Sequence, residues 1–317
     1  MLRMDGFDYL NARSPVEAVA LYAENPGSMY VAGGTDLLPN LKHRIFAPRH
    51  VIGLSSALPQ GWRVADGILE IGAGTRLSRL ATLELLPALA TAAGLIAGPQ
   101  IRNMGTLGGN VLLDTRCLFY NQTAFWRKSL GYCLKAEGDW CHVINGPKTC
   151  VATQSSDTVP VLLAYDARIR LLGPEGEREL SLRELFRFDG KDHLKIEAGE
   201  LLTHILVPVP GAGNRGSYQK LRVRDSIDFP MLGVAIAADL DGDRLAALEI
   251  VIGAVNPAPK PIRGLEPFLG QPLGPEAIAA IAELVHKQTR PQGSTHGDTT
   301  WRREMAALYV RRGLERL

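Results

Sequence analysis

Apolar residues first recur at helical spacing in Val16-Glu-Ala-Val-Ala-Leu21, behind Ser14-Pro15. This predicts a helix with Ser14 as N-cap and Pro15 at the first helical position. Ser28 to Ala32 is a short apolar run that predicts a strand ending in Gly33-Gly34-Thr35-Asp36, ahead of a short helical stretch at Leu37 to Lys42. Ile68 to Gly72 predicts a second strand, with Ala73-Gly74-Thr75 as its turn and a helix from Leu77. Strand, glycine turn and helix thus occur twice. Leu83 to Gly94 continues helically, Gly98-Pro99-Gln100 ends it, and Ile101 to Gly105 leads to a third glycine turn at Gly108-Gly109.

Between Asn110 and Asp157 the periodicity fades over a length far beyond the ~12–15 residues at which structureless loops become uncommon. Such a segment needs something to order it. Regular patterning returns with a helix at Val159 to Ala164, a strand at Ala167 to Leu172 and a turn at Gly173 to Gly176. The Pro/Gly-rich stretch Val207 to Asn214 predicts a domain junction near residue 212. Beyond it, strand-like runs at Ser217 to Val223, Leu232 to Asp239 and Leu245 to Gly253, with a turn at Asp241-Gly242, predict an antiparallel sheet. Helices follow at Pro275 to Gln288 and Thr299 to Leu314, the second capped by Asp298, with Trp301, Met305, Leu308 and Arg312 as its packing face. No internal repeat is present.

Composition narrows the classes. At 317 residues and 46% hydrophobic, the chain is long enough for two packed domains, and its formal charge of +2 comes without a basic block, which disfavours nucleic acid. The longest uncharged stretch, Leu85 to Ile101, is 17 residues and is broken by Pro87 and Pro99, so no membrane-spanning helix is expected. The segment Met1 to Asp8 has an early acid and no apolar h-region, so a cytoplasmic protein with reduced thiols is expected. No H-E-x-x-H, G-x-S-x-G or P-loop motif occurs, and neither Gly33-Gly34 nor Gly108-Gly109 matches the G-x-G-x-x-G fingerprint, which disfavours a zinc or serine hydrolase, a Rossmann site and a nucleotide triphosphate site.

Two features carry chemistry. Paired glycines after a strand let the backbone approach a ligand and present N–H groups to phosphate, and Gly33-Gly34-Thr35 and Gly108-Gly109-Asn110 both fit. All four cysteines, Cys117, Cys133, Cys141 and Cys150, fall within 34 consecutive residues. Disulfides do not suit a reducing compartment. Zinc sites favour a close C-x(2–4)-C pair, whereas here 15, 7 and 8 residues intervene; an iron–sulfur cluster needs only four converging thiolates. Spacing leaves cluster, zinc and free cysteines open.

Ala32-Gly33-Gly34-Thr35-Asp36, Arg102-Asn103-x-Gly-Thr106-Leu107-Gly108-Gly109-Asn110, Ser156-Asp157 and Gly199-Glu200-Leu201-Leu202, in that order, resemble the FAD-binding subunit of the xanthine dehydrogenase and carbon monoxide dehydrogenase family. Lys220-x-x-x-Arg224-x-x-x-Asp228 and the final Tyr309-Val310-Arg311-Arg312 are similar to that family's C-terminal flavoprotein domain. The cysteine segment departs from the common pattern. Its Thr115-Arg116-Cys117-x-Phe119-Tyr120-Asn121-Gln122, Gly131-Tyr132-Cys133-Leu134-Lys135 and Cys141-His142-Val143-Ile144 resemble the beta subunit of the 4-hydroxybenzoyl-CoA reductases, which carries a 4Fe–4S cluster besides FAD.

The resemblance implies an α+β fold: a two-lobed FAD-binding domain over residues 1–212, with an iron–sulfur insertion at about 114–152, then a smaller α+β flavoprotein domain over 213–317. FAD would lie extended, wrapped by Tyr30, Val31, Ala32, Gly33, Gly34, Thr35, Asp36 and Leu37 and met from the other side by Thr106, Leu107, Gly108, Gly109 and Asn110. Asp157 would accept hydrogen bonds from the cofactor, and Leu202 and Lys220 would border the isoalloxazine ring. Plain core packing is the other reading of Leu202, and a solvated surface lysine that of Lys220. The four cysteines would ligate one 4Fe–4S cluster. The resemblance also implies an oxidoreductase subunit with no catalytic residue of its own, partnered by a molybdenum-cofactor subunit, a small subunit with two 2Fe–2S clusters, and an external carrier such as ferredoxin. A dehydrogenase acting on an aldehyde, N-heterocycle or other ring compound is the alternative within the family, and a non-redox module with a zinc-stapled loop the alternative outside it.

Overall fold

The computed structural model describes residues 2–317. The first lobe is a three-stranded parallel sheet in which His50–Gly53 lies between Asp8–Asn11 and Met29–Val31. Helix Pro15–Glu24 connects the outer two strands, and the Ser14 hydroxyl accepts from the Glu17 N–H at 3.1 Å as the sequence predicts. The second lobe is a five-stranded antiparallel sheet in the order Trp62–Ala65, Ile68–Gly72, Leu201–Pro208, Arg168–Gly173, Gly176–Ser181. Its inward residues Leu69, Ile71, Ile169, Leu171 and Ile205 are fully buried, and helices Pro87–Gly94 and Thr158–Ala164 share that core.

The C-terminal sheet is an antiparallel meander, Asn214–Leu221, Leu232–Asp241, Arg244–Gly253 and a short edge, Lys260–Pro261. Strand Leu232–Asp241 is buried on both faces, which is why it reads as a continuous apolar run and not as an alternation. Val234, Ile236 and Ala238 face helices Pro275–Gln288 and Thr299–Leu314, whereas Ala235 and Ala237 join the core of the second lobe. The C-terminal sheet is therefore clamped between its own helices and the preceding lobe.

Local readings change at four places. Gly98-Pro99 begins a helix, Pro99–Met104, with Gly98 as N-cap, because proline at the first helical position is as favourable there as it is as a stop. Leu83 to Leu86 is not helical; the helix starts at Pro87. Gly108 and Gly109 lie inside a short helix, Leu107–Val111, capped by Thr106, and not in a turn. The buried stripe of the last helix is Arg302, Ala306, Val310, Gly313 and Leu314, with Trp301 41% exposed. Arg302 is drawn inward because its guanidinium donates to the carbonyls of Met231, Gln292 and Ala254 at 2.8, 2.9 and 2.6 Å. The cysteine segment carries only helix Ala124–Ser129 and one 3-10 turn, Leu134–Ala136. Among the described residues no helix is long and apolar enough to cross a membrane.

Candidate functional site

A cavity of about 530 Å³ opens where the two lobes and the C-terminal domain meet. Tyr30 to Leu37 form one side of it, Thr106 and Gly108 to Asn110 another, and Asp157 and Leu202 also line it. Leu107 and Lys220 stand outside the lining: Leu107 is fully buried in the core.

The first glycine loop offers donors. Gly34 has φ +70°, a left-handed conformation natural to glycine, and this turn leaves the N–H groups of Gly33, Gly34, Thr35, Asp36 and Leu37 without a protein acceptor among the described residues. Five consecutive free N–H groups beside a cavity form an anion cradle. A Cβ on Gly33 would stand 2.0 Å from the Met104 carbonyl oxygen, so this glycine permits the loop to lie against the neighbouring helix end.

The second motif differs. Its N–H groups are already used: Leu107 donates to Thr75 O at 2.9 Å, Gly108 to Ala73 O at 2.8 Å, Gly109 to Thr106 Oγ1 at 3.2 Å and Asn110 to Thr106 O at 3.0 Å. It meets the cavity as a bare surface. Asn110 ties it to the opposite segment, its Oδ1 accepting from the Ser156 and Thr158 hydroxyls, both at 2.6 Å.

Asp157 accepts from the Tyr218 hydroxyl at 2.7 Å and from Lys220 Nζ at 3.2 Å, so both of its oxygens hold the C-terminal sheet. Burial pushes its carboxyl up to about 6, against the pull of Lys220. The Lys220 side chain is wholly buried and also donates to Leu95 O and Asp228 O, each at 3.1 Å, which excludes a solvated surface lysine.

Several lining residues are not assigned to the cleft by the sequence reading, among them Asp114, Ile227 and Phe229, and Arg116 and Asp228, which appear there only within motifs. Arg116 forms an ion pair with Asp36 and lies over the Phe229 ring at 4.3 Å. Burial pushes its guanidinium down to about 10, which leaves it cationic at neutral pH. Its position in an aperiodic segment hides it from pattern reading.

All four cysteines line one second, small cavity of about 20 Å³, walled by Phe119, Tyr120, Leu134, Val143 and Val151. All four are free thiols, so the disulfide reading ends here. Burial pushes the Cys117 thiol up to about 12 and that of Cys150 to about 11, and Cys133 adds to both shifts by repulsion. Among the described residues no three His, Cys, Asp or Glu side chains are arranged to hold a single metal ion. The donor set is that of a four-thiolate site with apolar shielding. Zinc would draw four sulfurs to ~2.3 Å from one point, whereas a four-iron cluster would be held by the same four thiols spread around its own width.

Two-lobed domain, cleft and clamped antiparallel sheet together define a flavoprotein of the FAD-binding class with an appended C-terminal domain. Residues 5–210 match the model "FAD binding domain in molybdopterin dehydrogenase", and residues 216–317 match "CO dehydrogenase flavoprotein C-terminal domain". The chain belongs to this family, the FAD-binding medium subunits of the xanthine and carbon monoxide dehydrogenases. It is 32% identical to the aldehyde oxidoreductase FAD-binding subunit PaoB of Escherichia coli (strain K12), over 87% of this chain and 89% of that one. It is 29% identical to the carbon monoxide dehydrogenase medium chain of Afipia carboxidovorans, over 98% of this chain and 96% of the relative. Reconstituted CO dehydrogenase from Oligotropha carboxidovorans superposes with a TM-score of 0.81 at 27% identity, covering 99% of this chain and 98% of that chain.

Proposed function

We propose that this flavoprotein subunit of the molybdenum hydroxylase family transfers electrons within a complex, binding FAD in the cleft and a 4Fe–4S cluster on Cys117, Cys133, Cys141 and Cys150. The observation that carries the flavin assignment is the row of free N–H groups from Gly33 to Leu37 beside the 530 Å³ cavity. A diphosphate needs such donors, and an apolar wall including Leu202 and Phe229 suits a ring system. FAD supplies one- and two-electron chemistry when bound and a 4Fe–4S cluster supplies one-electron chemistry. The chain's own residues bind, orient and exclude water. Arg116 and Asp36 close one wall of the cleft by their ion pair, and Asp157, Tyr218 and Lys220 fix the C-terminal domain, from about residue 213, against another.

Substrate chemistry then belongs to a molybdenum-cofactor subunit, reached through a small subunit with two 2Fe–2S clusters. The four-thiol cavity favours a 4-hydroxybenzoyl-CoA reductase-like complex fed by ferredoxin. The relatives' names, aldehyde oxidoreductase and carbon monoxide dehydrogenase, favour an oxidising complex equally. Anaerobic purification with flavin, iron, sulfide and zinc analysis tests the cofactors. One FAD with four irons and no zinc is expected; stoichiometric zinc without iron would leave the stapled module. Turnover of the assembled complex with reduced ferredoxin against aldehyde, heterocycle and aryl-CoA substrates separates the two directions.

A further inference from the structure

The two cavities stand back to back. Asp114 and Arg116 line the flavin cleft, whereas Cys117 and the nearby Tyr120 line the thiol cavity. Arg116 pairs with Thr153 through reciprocal backbone hydrogen bonds of 2.8 and 2.7 Å, so the chain is extended here and neighbouring side chains point to opposite sides. The partition is one strand thick.

One ion pair crosses it. Lys135 lines the thiol cavity with its side chain 5% exposed, and its Nζ lies 2.6 Å from Asp114 Oδ1 on the cleft side. The same ammonium donates to Thr115 O at 3.1 Å and Thr115 Oγ1 at 2.5 Å, and stands 4.7 Å from the Tyr120 ring centre. Lys135 is the only lysine or arginine among the residues lining the thiol cavity. In so little water its charge is weakly screened.

We infer that Lys135 sets the reduction potential of the group held by the four thiols, and that Asp114 moderates this charge from the flavin side. The inference rests on the cluster reading above. Reduction adds one electron and one negative charge to the cluster, so a fixed cation beside it favours the reduced state and a carboxylate opposes it. Lys135 acts through its charge and touches neither substrate nor flavin.

The test is an EPR-monitored redox titration of the iron-loaded full chain in its complex, for the wild type, Lys135→Met, Lys135→Arg and Asp114→Asn. Lys135→Met should lower the cluster potential and Asp114→Asn should raise it, with Lys135→Arg close to the wild type. Opposite signs are the signature, because loosened packing would not reverse direction between two partners of one ion pair. Should Lys135→Met take up no iron, the Arg and Asn variants still decide by the sign and size of their shifts. Potentials within error of the wild type in loaded Asp114→Asn, or a Lys135→Arg shift as large as that of Met, would overturn the inference alone. A wild-type chain that binds no iron would overturn the cluster reading, and this inference with it.

Discussion

Replacing Gly33 by alanine is the sharpest perturbation of the proposed flavin site. The new Cβ would stand 2.0 Å from the Met104 carbonyl oxygen and 2.6 Å from its carbon, both backbone atoms that no rotamer can move. Restoring ordinary contact needs a displacement of about 1.4 Å, shared between the loop and the helix end. A hydrogen bond of ~2.9 Å lengthened by ~1 Å is no longer a bond. Each N–H donor to a charged phosphate contributes about 1.5–3 kcal/mol, so losing two removes about 3–6 kcal/mol, or ~10²- to 10⁴-fold in affinity. The flavin-free chain should lose only about 1–3 kcal/mol, the usual effect of overpacking. Gly109→Ala is the control: its Cβ would meet only Thr106 Oγ1, at 3.1 Å, and its N–H is already given to that hydroxyl. It should weaken flavin less than ~10-fold, and alanine in a helix adds up to ~1 kcal/mol of stability. Fluorescence titration of the deflavinated chain with FAD, beside urea unfolding of the same samples, measures both quantities. If Gly33→Ala kept its affinity within about threefold, or both variants lost equally, the assignment of the phosphate donors to the first loop would fail.

Serine at Cys117, Cys133, Cys141 or Cys150 should abolish iron binding and leave flavin bound, because the cleft is lined by other residues; iron and flavin analysis of each purified variant checks this. Lys220→Met should destabilise the chain by about 3–5 kcal/mol in urea unfolding, since it strands a buried Asp157, and adding Asp157→Asn should recover much of the loss. Asp157 also predicts a pH dependence: the native state holds its proton up to about 6, whereas the unfolded chain releases it near the ordinary carboxylate value. Its contribution to stability is therefore present below about 4 and is lost as pH rises to 6, so Asp157→Asn should gain on the wild type over that interval, and parallel stability curves would remove the argument.

Local signals were legible where one residue type admits one role. Ser14-Pro15, Asp298 and the two C-terminal helices read correctly because caps and long periodic runs act within a few residues. Gly98-Pro99 was ambiguous since proline both stops and starts helices. The inward face of the last helix was unreadable because a buried arginine looks like a surface residue until its three carbonyl partners are known. The glycine motifs point to a cleft, but which of them keeps its donors free depends on Ala73 and Thr75, brought in by another turn. Asp114 and Arg116 were invisible as cleft residues because extended alternation over four positions in an aperiodic segment is too short to register.

The placement of the thiols also explains why the C-terminal domain cannot be a mere appendage. Leu118, next to Cys117, donates its N–H to Ser294 O at 2.8 Å, and the Ser294 and Thr153 hydroxyls stand 2.6 Å apart. Arg302 holds the same loop by donating to Gln292 O at 2.9 Å. A segment with few apolar residues of its own is thus ordered from three directions: by the second lobe, by the loop before the last helix, and by Lys135 reaching back to Asp114 and Thr115. The backbone frame around Cys117 is therefore organised by contacts that do not pass through any metal. That frame keeps the thiol cavity one strand from the flavin cleft, with Lys135 on one side paired to Asp114 on the other.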